Sequence, residues 1–310
     1  MFRSVAAGVA RVERTCPACA SAAASPSFDK DGFTYVRCRG CGLVYISPIP
    51  QVEALEREYD QLSTDYFLDE RRLAIDEYTE RHDREVGLLR RVGARGRLLD
   101  VGCATGSFMM AARRIGFTDI HGVDVAAASV AVARRRGFEA RAGDFSAQMF
   151  PSGSFDVVSM WNTLEHLPEP FVFATEAWRV LAPGGHLVVS MPNFNSLSVL
   201  LLRRRYRYIA LEHLNYFTPA TLRTLLTRAG FRVVHHETRS FNPYVVLQDW
   251  RGVPVDIEET IRETQLSKSF KTNGSFSVAR VAYRTVDGLL RIVGRGDSLL
   301  MAAQKPAISG

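Results

Sequence analysis

Four of the five cysteines stand in two Cys-x-x-Cys pairs, formed by Cys16 with Cys19 and by Cys38 with Cys41. Thiolates at this spacing can bind one ion tetrahedrally, because each pair presents two sulfur atoms while the chain between the pairs folds back as a hairpin. The spacing predicts a structural zinc site, since the protein fills all four positions. Disulfides or free thiols are the alternative, and a reducing compartment disfavours disulfides. The fifth cysteine, Cys103, is predicted to be a packing residue.

A second chemical feature is the stretch LLDVGCATGSF, in which an apolar strand runs into a turn from Gly102 to Gly106 and then into a helix. A dinucleotide site needs Gly-x-Gly-x-x-Gly in such a turn, so that backbone amides can approach a pyrophosphate. Here Ala104 carries a methyl group, and Asp100 at the end of the strand would repel a pyrophosphate. The same carboxylate would attract the ammonium and sulfonium groups of S-adenosylmethionine (SAM), which carries no phosphate.

Two more acids end the next two strands of the sequence. Asp124 is placed to accept hydrogen bonds from both ribose hydroxyls. Asp144 can receive the adenine amino group, with Val125 and Phe145 flanking the ring. Each acid alone could instead be a helix N-cap or lie in a solvated loop. Acids at three successive strand ends favour a single site, and we expect the cofactor to be SAM.

Two Glu-His pairs offer groups for acid–base chemistry. A hydroxyl that attacks a sulfonium methyl group must lose a proton, so a base with a pKa near neutrality helps. In NTLEHLPEP we expect His166 to be this base and Glu165 to orient it; alternatively, the pair caps a turn before Pro168. The second pair ends in His213, within an insertion at about 193–217 that we expect to cover the acceptor. His213 would contact the substrate or act as the base, and a packing role is the alternative.

The stretch LLRRRYRY is the densest basic cluster. It contains Arg203, Arg204, Arg205 and Arg207. Arginine forks grip phosphate groups, so the cluster could clamp a nucleotide sugar, a phosphate-bearing carrier or RNA. A solvated helix face is the alternative.

Strands and helices alternate from Leu98 onwards, which indicates an α/β fold whose parallel sheet is covered on both faces. The expected strands are 97–101, 120–124, 139–142, 155–161, 186–191 and 231–236. The expected helices are 105–115, 126–136, 171–181 and one from the Thr218 cap to Gly230, with a turn at Pro183–Gly185.

The segments LLDVGCATGSF, GVDVA, AGDF, FDVVSMWNTLEHL and LAPGGHLVVSMPN resemble, in this order, the successive motifs of class I SAM-dependent methyltransferases. The resemblance spans about 98–304 and implies a doubly wound, seven-stranded Rossmann-like sheet that ends in an antiparallel strand at GDSLLMAAQKP. It places Asp100, Gly102 and Gly106 around the methionine moiety, and Trp161 and Asn162 on the methyl-transfer face.

The Cys pairs followed by GLVYISPIP resemble a bacterial subgroup that modifies sugars, cell-surface polysaccharides or secondary metabolites. Quinone O-methyltransferases carry a Glu-His pair similar to Glu165 and His166, sometimes linked to a divalent cation. This chain has Asn162 where those enzymes have a further acid, which predicts that the pair works here without a metal.

These features divide the chain into a zinc-knuckle module at 1–50, a helical lead-in at 51–95 and a methyltransferase domain at 96–310. No window of the sequence is apolar for the ~18 residues of a membrane span. The first residues are too quickly interrupted by charge for a secretion signal, so we expect a cytoplasmic protein.

The leading functional hypothesis is methyl transfer to a small-molecule acceptor, most often a hydroxyl of a sugar, polysaccharide precursor or secondary metabolite. The formal net charge of +6 and the zinc module keep a ribosomal RNA methyltransferase as an alternative. Against RNA, NTLEH stands where base-nitrogen methylases carry an Asn/Asp-Pro-Pro-aromatic tetrad. A non-catalytic SAM-binding scaffold is the third alternative.

Overall fold

The computed structural model describes residues 10–55, 68–69, 73–74, 82–253, 262 and 277–307. Most of the helical lead-in predicted at 51–95 lies outside the described residues. Within them, residues 52–55 are helical and α1 runs over Asp83–Arg91.

A seven-stranded sheet forms the centre of the molecule. Its strands are β6 (Leu98–Val101), β7 (Ile120–Asp124), β8 (Glu139–Ala142), β9 (Phe155–Trp161), β10 (Leu181–Pro192), β12 (Arg232–Arg239) and β13 (Ser298–Gln304). Their order across the sheet is β12-β13-β10-β9-β6-β7-β8. The neighbours from β10 to β8 are parallel, whereas β13 is antiparallel to both β10 and β12. The predicted α/β fold and its antiparallel final strand are confirmed.

The remaining helices alternate with these strands or follow them. They are α2 (Ser107–Arg114), α3 (Ala127–Arg135), α4 (Pro170–Val180), α5 (Leu197–Leu202), α6 (Pro219–Arg228), α7 (Pro243–Arg251) and α8 (Ser277–Ile292). Every residue of β6 and of β7 is buried, as expected for central strands of a parallel sheet that is covered on both faces. The predicted cap of α6 is present, because Thr218 accepts a hydrogen bond from the backbone amide of Thr221.

One predicted turn is wrong. Pro183–Gly185 lies inside the twelve-residue strand β10, where the pairing with β9 shifts register between Leu181 and His186. The extra residues between these two positions form an irregularity in the strand, and their local conformation resembles a turn, with Gly184 at φ +81°.

The cysteine-bearing segment forms its own small sheet. It contains β2 (Ala24–Lys30), β3 (Phe33–Cys38) and β4 (Val44–Ile46), and a two-stranded ribbon pairs β1 (Arg11–Val12) with β5 (Ile49–Pro50). The fourth strand of the small sheet is β11 (Asn215–Tyr216), which belongs to the insertion after β10. The N-terminal module and the insertion therefore share one sheet and a core of buried apolar side chains.

Among the described residues, no helix combines the length and the apolar composition that crossing a membrane requires.

Candidate active site

The three acids singled out in the sequence lie in or directly after three adjacent parallel strands. Asp100 lies in β6, Asp124 ends β7 and Asp144 follows β8. Because β6, β7 and β8 are neighbours, all three residues stand at the carboxyl edge of the sheet, where open α/β sheets bind ligands.

Asp100 is buried, with 2% of its surface exposed, and its Oδ1 accepts a hydrogen bond of 2.7 Å from the hydroxyl of Ser159. Burial raises the pKa of Asp100 to about 8, and the nearby Asp124 adds to the rise against the opposing effect of Ser159. A buried carboxyl group in this state would gain from a cationic partner.

Asp124 ties the glycine turn to the strand beside it. Its Oδ2 accepts from the backbone amide of Ala104 and its Oδ1 from that of Ala126, each at 2.9 Å. Ala104 has a positive φ of +43°, and Gly102 stands at +75°. A Cβ on Gly102 would come within 2.6 Å of the Thr163 hydroxyl. The turn thus needs glycine at this point, as a backbone that closely approaches a ligand does.

The residues expected around an adenine ring differ in their exposure to solvent. Val125 is 46% exposed beside Asp124, whereas Phe145 is 2% exposed and packs against Phe150 and Phe173. The Phe145 ring is therefore a core side chain in this structure, and its place beside an adenine ring stays a prediction. The exposed Asp144 accepts from the amide and hydroxyl of Ser146 at 2.8 and 2.7 Å, the N-cap geometry kept as an alternative.

Trp161 and Asn162 close the carboxyl end of β9. The indole ring of Trp161 packs on Phe108 at 4.8 Å between centroids, and its buried Nε1 has no hydrogen-bond partner among the described residues. Asn162 is exposed, with a φ of +50°, and its amide donates to the carbonyl of Ser190 at 2.8 Å. Residues held at positive φ cluster at functional sites, so this strand end is a strong candidate.

Glu165, His166 and His213 come together although His213 stands 47 positions after His166 in the chain. The two imidazole rings lie 4.7 Å apart, and His166 Nε2 is 3.9 Å from Glu165 Oε1. Burial raises the pKa of Glu165 to about 8 and lowers that of His166 to about 4 and of His213 to about 3. All three groups are therefore neutral near pH 7 when no cation is present.

Hydrogen bonds fix the tautomer of both histidines. His166 Nδ1 lies 2.6 Å from the carbonyl of Glu212, and His213 Nδ1 lies 2.8 Å from that of Tyr208. Because a carbonyl oxygen only accepts, each Nδ1 carries the proton and each Nε2 keeps its lone pair.

Two residues that sequence reasoning missed hold the segments of this cluster together. Asn215 donates through its Nδ2 to the backbone carbonyls of Leu164 and Leu167. Its backbone amide donates to the backbone carbonyl of Glu165. Arg14 donates to the carbonyls of Pro168 at 2.8 Å and Leu214 at 2.7 Å, and to that of Ile46 at 2.9 Å. No local pattern indicates an arginine contact across 200 residues, so these contacts emerge only from the fold.

The four N-terminal cysteines converge as predicted. The Sγ atoms of Cys16 and Cys41 lie 3.6 Å apart, and those of Cys19 and Cys38 lie 3.5 Å apart. Tetrahedral Zn–S bonds of about 2.3 Å place sulfur atoms roughly 3.8 Å apart, so the cluster suits one ion. Although burial opposes it, amides of Cys41 and Gly40 lower the pKa of Cys38 to about 7, which favours a thiolate.

The arginine cluster divides into two parts. Arg203, Arg204 and Arg205 are exposed in a short 3-10 turn. Arg207 instead forms an ion pair of 2.7 Å with Asp249, where the two side chains are 10% and 3% exposed. Arg207 fits neither of the two alternatives for the cluster, a phosphate clamp or a solvated helix face, because its guanidinium is committed to Asp249.

Comparisons with known proteins give a consistent result. A family model described as a methyltransferase domain matches residues 69–236. The ubiquinone biosynthesis O-methyltransferase of Thiobacillus denitrificans is 29% identical over 161 residues, which cover 47% of this chain and 69% of that protein. The corresponding protein of Paracidovorax citrulli is 30% identical over 163 residues, covering 47% and 68%. The crystal structure of the [4+2]-cyclase SpnF aligns with a TM-score of 0.54 at 20% identity, over 84% of this chain and 97% of that one.

Proposed function

Because this chain belongs to the methyltransferase domain family and is a SAM-dependent methyltransferase, we propose that it methylates a hydroxyl of a small molecule. The acceptor class is a sugar, a polysaccharide precursor or a secondary metabolite. The observation that carries the proposal is the meeting of Glu165, His166 and His213 beside the strand edge that bears the three acids.

The cofactor half of the proposed site is the carboxyl edge of β6, β7 and β8. Asp100 and the turn from Gly102 to Gly106 would hold the methionine moiety of SAM, and Asp124 the ribose. Asp144 and the exposed Val125 remain the groups proposed for adenine. The sulfonium supplies a methyl group on an excellent leaving group, so the residues contribute mainly by fixing position and charge.

The acceptor half is formed by Trp161, Asn162 and the Glu165–His166–His213 cluster. An acceptor hydroxyl attacks the methyl carbon in line with the C–S bond, and its proton must leave. Two chemistries suit the cluster: the Nε2 of a neutral histidine takes the proton directly, or a cation bound by the cluster lowers the pKa of the hydroxyl.

The four-cysteine module is proposed to bind one structural zinc ion that stabilises the acceptor half. Its strand β4 pairs with β11, which directly follows His213 and Leu214. A structural role of this kind argues against the alternative in which the module is a free surface that docks on RNA. The ion pair of Arg207 with Asp249 also argues against RNA binding. Curated relatives named as O-methyltransferases of ubiquinone biosynthesis support a small-molecule acceptor.

The direct test of the proposal incubates the zinc-loaded chain with methyl-labelled SAM and an extract of the source organism, which is then separated into small-molecule and RNA pools. Label in the small-molecule pool is expected. At a SAM concentration below saturation, Asp124→Asn should reduce this label strongly, while Asp156→Asn, at the amino end of β9, should not. Label confined to RNA would overturn the acceptor class, and no label in either pool would count against methyl transfer.

A further inference from the structure

Three arginines converge on one carboxylate at the edge of the central sheet, away from the residues assigned to SAM and the acceptor. The side chain of Glu237 in β12 is 4% exposed, and its Oε2 lies 3.0 Å from Nη2 of Arg239 on the same strand. Arg291, near the end of α8, approaches the same oxygen to 3.1 Å. Arg91, the last residue of α1, stands 3.9 Å from it. Three elements thus direct a guanidinium group at one oxygen atom.

The cluster carries more positive charge than its carboxylate neutralises. Within the described ranges, none of the three arginines forms an ion pair with another acid, so a surplus of two positive charges remains. The three arginine side chains are 28–41% exposed, so water screens their mutual repulsion incompletely. A dianion bound beside them would remove the surplus.

Two buried nitrogen atoms beside Glu237 lack a hydrogen-bond partner in the part of the chain that the structure describes. They are Nε of Arg239 and Nε2 of His235. His235, Glu237 and Arg239 alternate along β12, so their side chains lie on one face of the strand. Three guanidinium groups carry about fifteen N–H donors, whereas one carboxylate accepts about four hydrogen bonds. The cluster therefore has donors left for a ligand with several oxygen atoms.

A cavity adjoins the cluster. Its volume is about 540 Å³, and its walls include His235, Glu237 and Arg291, together with Thr238 of β12 and Gly294, which follows α8. Cavities that bind small molecules in proteins have volumes of about 300–1,000 Å³, so this one has room for a phosphate group and for the group that carries it. Surplus arginine donors and space for an anion therefore occur together.

The cavity is separate from the proposed active site. Glu237 pairs with Leu300 of β13. Leu300 in turn pairs with Ser190 of β10, which stands beside Trp161 of β9. Three strand spacings of about 4.8 Å put Glu237 roughly 14 Å from Trp161. A ligand held by the arginines would thus occupy a site of its own at the edge of the sheet.

We propose that Arg91, Arg239 and Arg291 bind a phosphate group in this cavity, while Glu237 holds their guanidinium groups in place. The planar fork of a guanidinium group matches two phosphate oxygens. A phosphomonoester at neutral pH has a charge near −2, which matches the surplus of the cluster. The ligand class is a phosphate ion or a compound that carries a phosphate or diphosphate group. The inference goes beyond methyl transfer, because it needs neither SAM nor an acceptor hydroxyl.

The test is calorimetric titration of inorganic phosphate into the zinc-loaded full chain at constant ionic strength, with chloride as the balancing anion. The wild type should bind one phosphate per chain. Arg239→Gln and Arg291→Gln should each weaken binding at least about tenfold, because each removes a charged donor from the ligand. Arg232→Gln is the matched control. Arg232 is exposed on the same strand and donates to Gln304, so its loss should leave the affinity unchanged.

A second readout is the NMR signal of the Arg239 Nε proton, which is identified by its absence from Arg239→Gln. Phosphate should shift this signal in the wild type and in Arg232→Gln, because the ligand accepts a hydrogen bond from this buried donor.

No saturable binding by the wild type would overturn the inference, and it is the result expected if the arginines only neutralise Glu237. Equal affinity of the wild type, Arg239→Gln and Arg291→Gln would overturn it as well. Arg291 is 41% exposed near the end of a helix, so Arg291→Gln decides the result if Arg239→Gln does not fold.

Uridine diphosphate in the same titration separates the two sources of the phosphate group. Tighter binding than inorganic phosphate, with displacement of the bound phosphate, would identify a ligand that carries its phosphate on a larger group. Binding of inorganic phosphate without displacement by uridine diphosphate would identify the free ion. Neither result depends on methyl transfer, so the proposed function and this site can fail independently.

Discussion

Arg14 links the cysteine module to both segments of the acceptor half, which makes its truncation an informative perturbation. Its guanidinium donates three hydrogen bonds to backbone carbonyls, at 2.7 to 2.9 Å. At about 1.5–3 kcal/mol for a hydrogen bond from a charged donor, three would sum to roughly 4.5–9 kcal/mol if they were additive. The burial that lowers the pKa of Arg14 to about 10 offsets part of this. We expect Arg14→Ala to lower the free energy of unfolding by about 3 kcal/mol.

The assay is urea unfolding of the zinc-loaded chain, with Arg37→Ala as the matched control. Arg37 is exposed in the same module and donates to the carbonyl of Gly42, so its removal should change stability by less than about 0.5 kcal/mol. A second readout is the NMR signal of the Nδ1 protons of His166 and His213, which should shift in Arg14→Ala only. Equal stability of the two variants, with both imidazole signals unmoved, would refute the reasoning.

Three further predictions concern the metal and cofactor sites. Cys38→Ser should lose the structural zinc and lower the melting temperature, whereas Cys103→Ser should retain the metal, as measured by elemental analysis. Since burial raises the pKa of Asp100 to about 8, its carboxyl group is protonated below that pH, and a cationic ligand favours the ionised form. SAM affinity should therefore rise by at most roughly tenfold per pH unit toward pH 8 and level off above it. Calorimetry should detect release of a proton on binding, and an affinity that does not change with pH would contradict the placement of Asp100 beside SAM. Gly102→Ala would press a Cβ against Thr163 at 2.6 Å and force a positive φ, so SAM binding should fall sharply; unchanged affinity would count against a tight turn.

The elements of the central sheet could be read from the sequence because each signal is local. Ile120–Asp124, Glu139–Ala142 and Phe155–Trp161 have the bounds that the sequence predicted. The convergence of the four cysteines followed from their spacing alone.

What the sequence could not provide depends on pairs of residues far apart in the chain. Strand β11 is two residues long and has no periodicity, yet it joins the insertion to the cysteine module. Arg207 looked like part of a free basic cluster because its partner, Asp249, lies 42 residues later. Phe145 follows an acid at a strand end, but its ring packs in the core against Phe150 and Phe173.

The cofactor site is the claim on which the rest of the account depends, and calorimetric titration of SAM into the zinc-loaded chain tests it most directly. We expect one SAM per chain, with affinity reduced at least about tenfold in Asp124→Asn, because a hydrogen bond to a charged group is worth about 1.5–3 kcal/mol. Asp156→Asn, at the amino end of β9, should bind SAM as the wild type does. Equal affinity in Asp124→Asn and the wild type, or no binding by the wild type, would contradict the account.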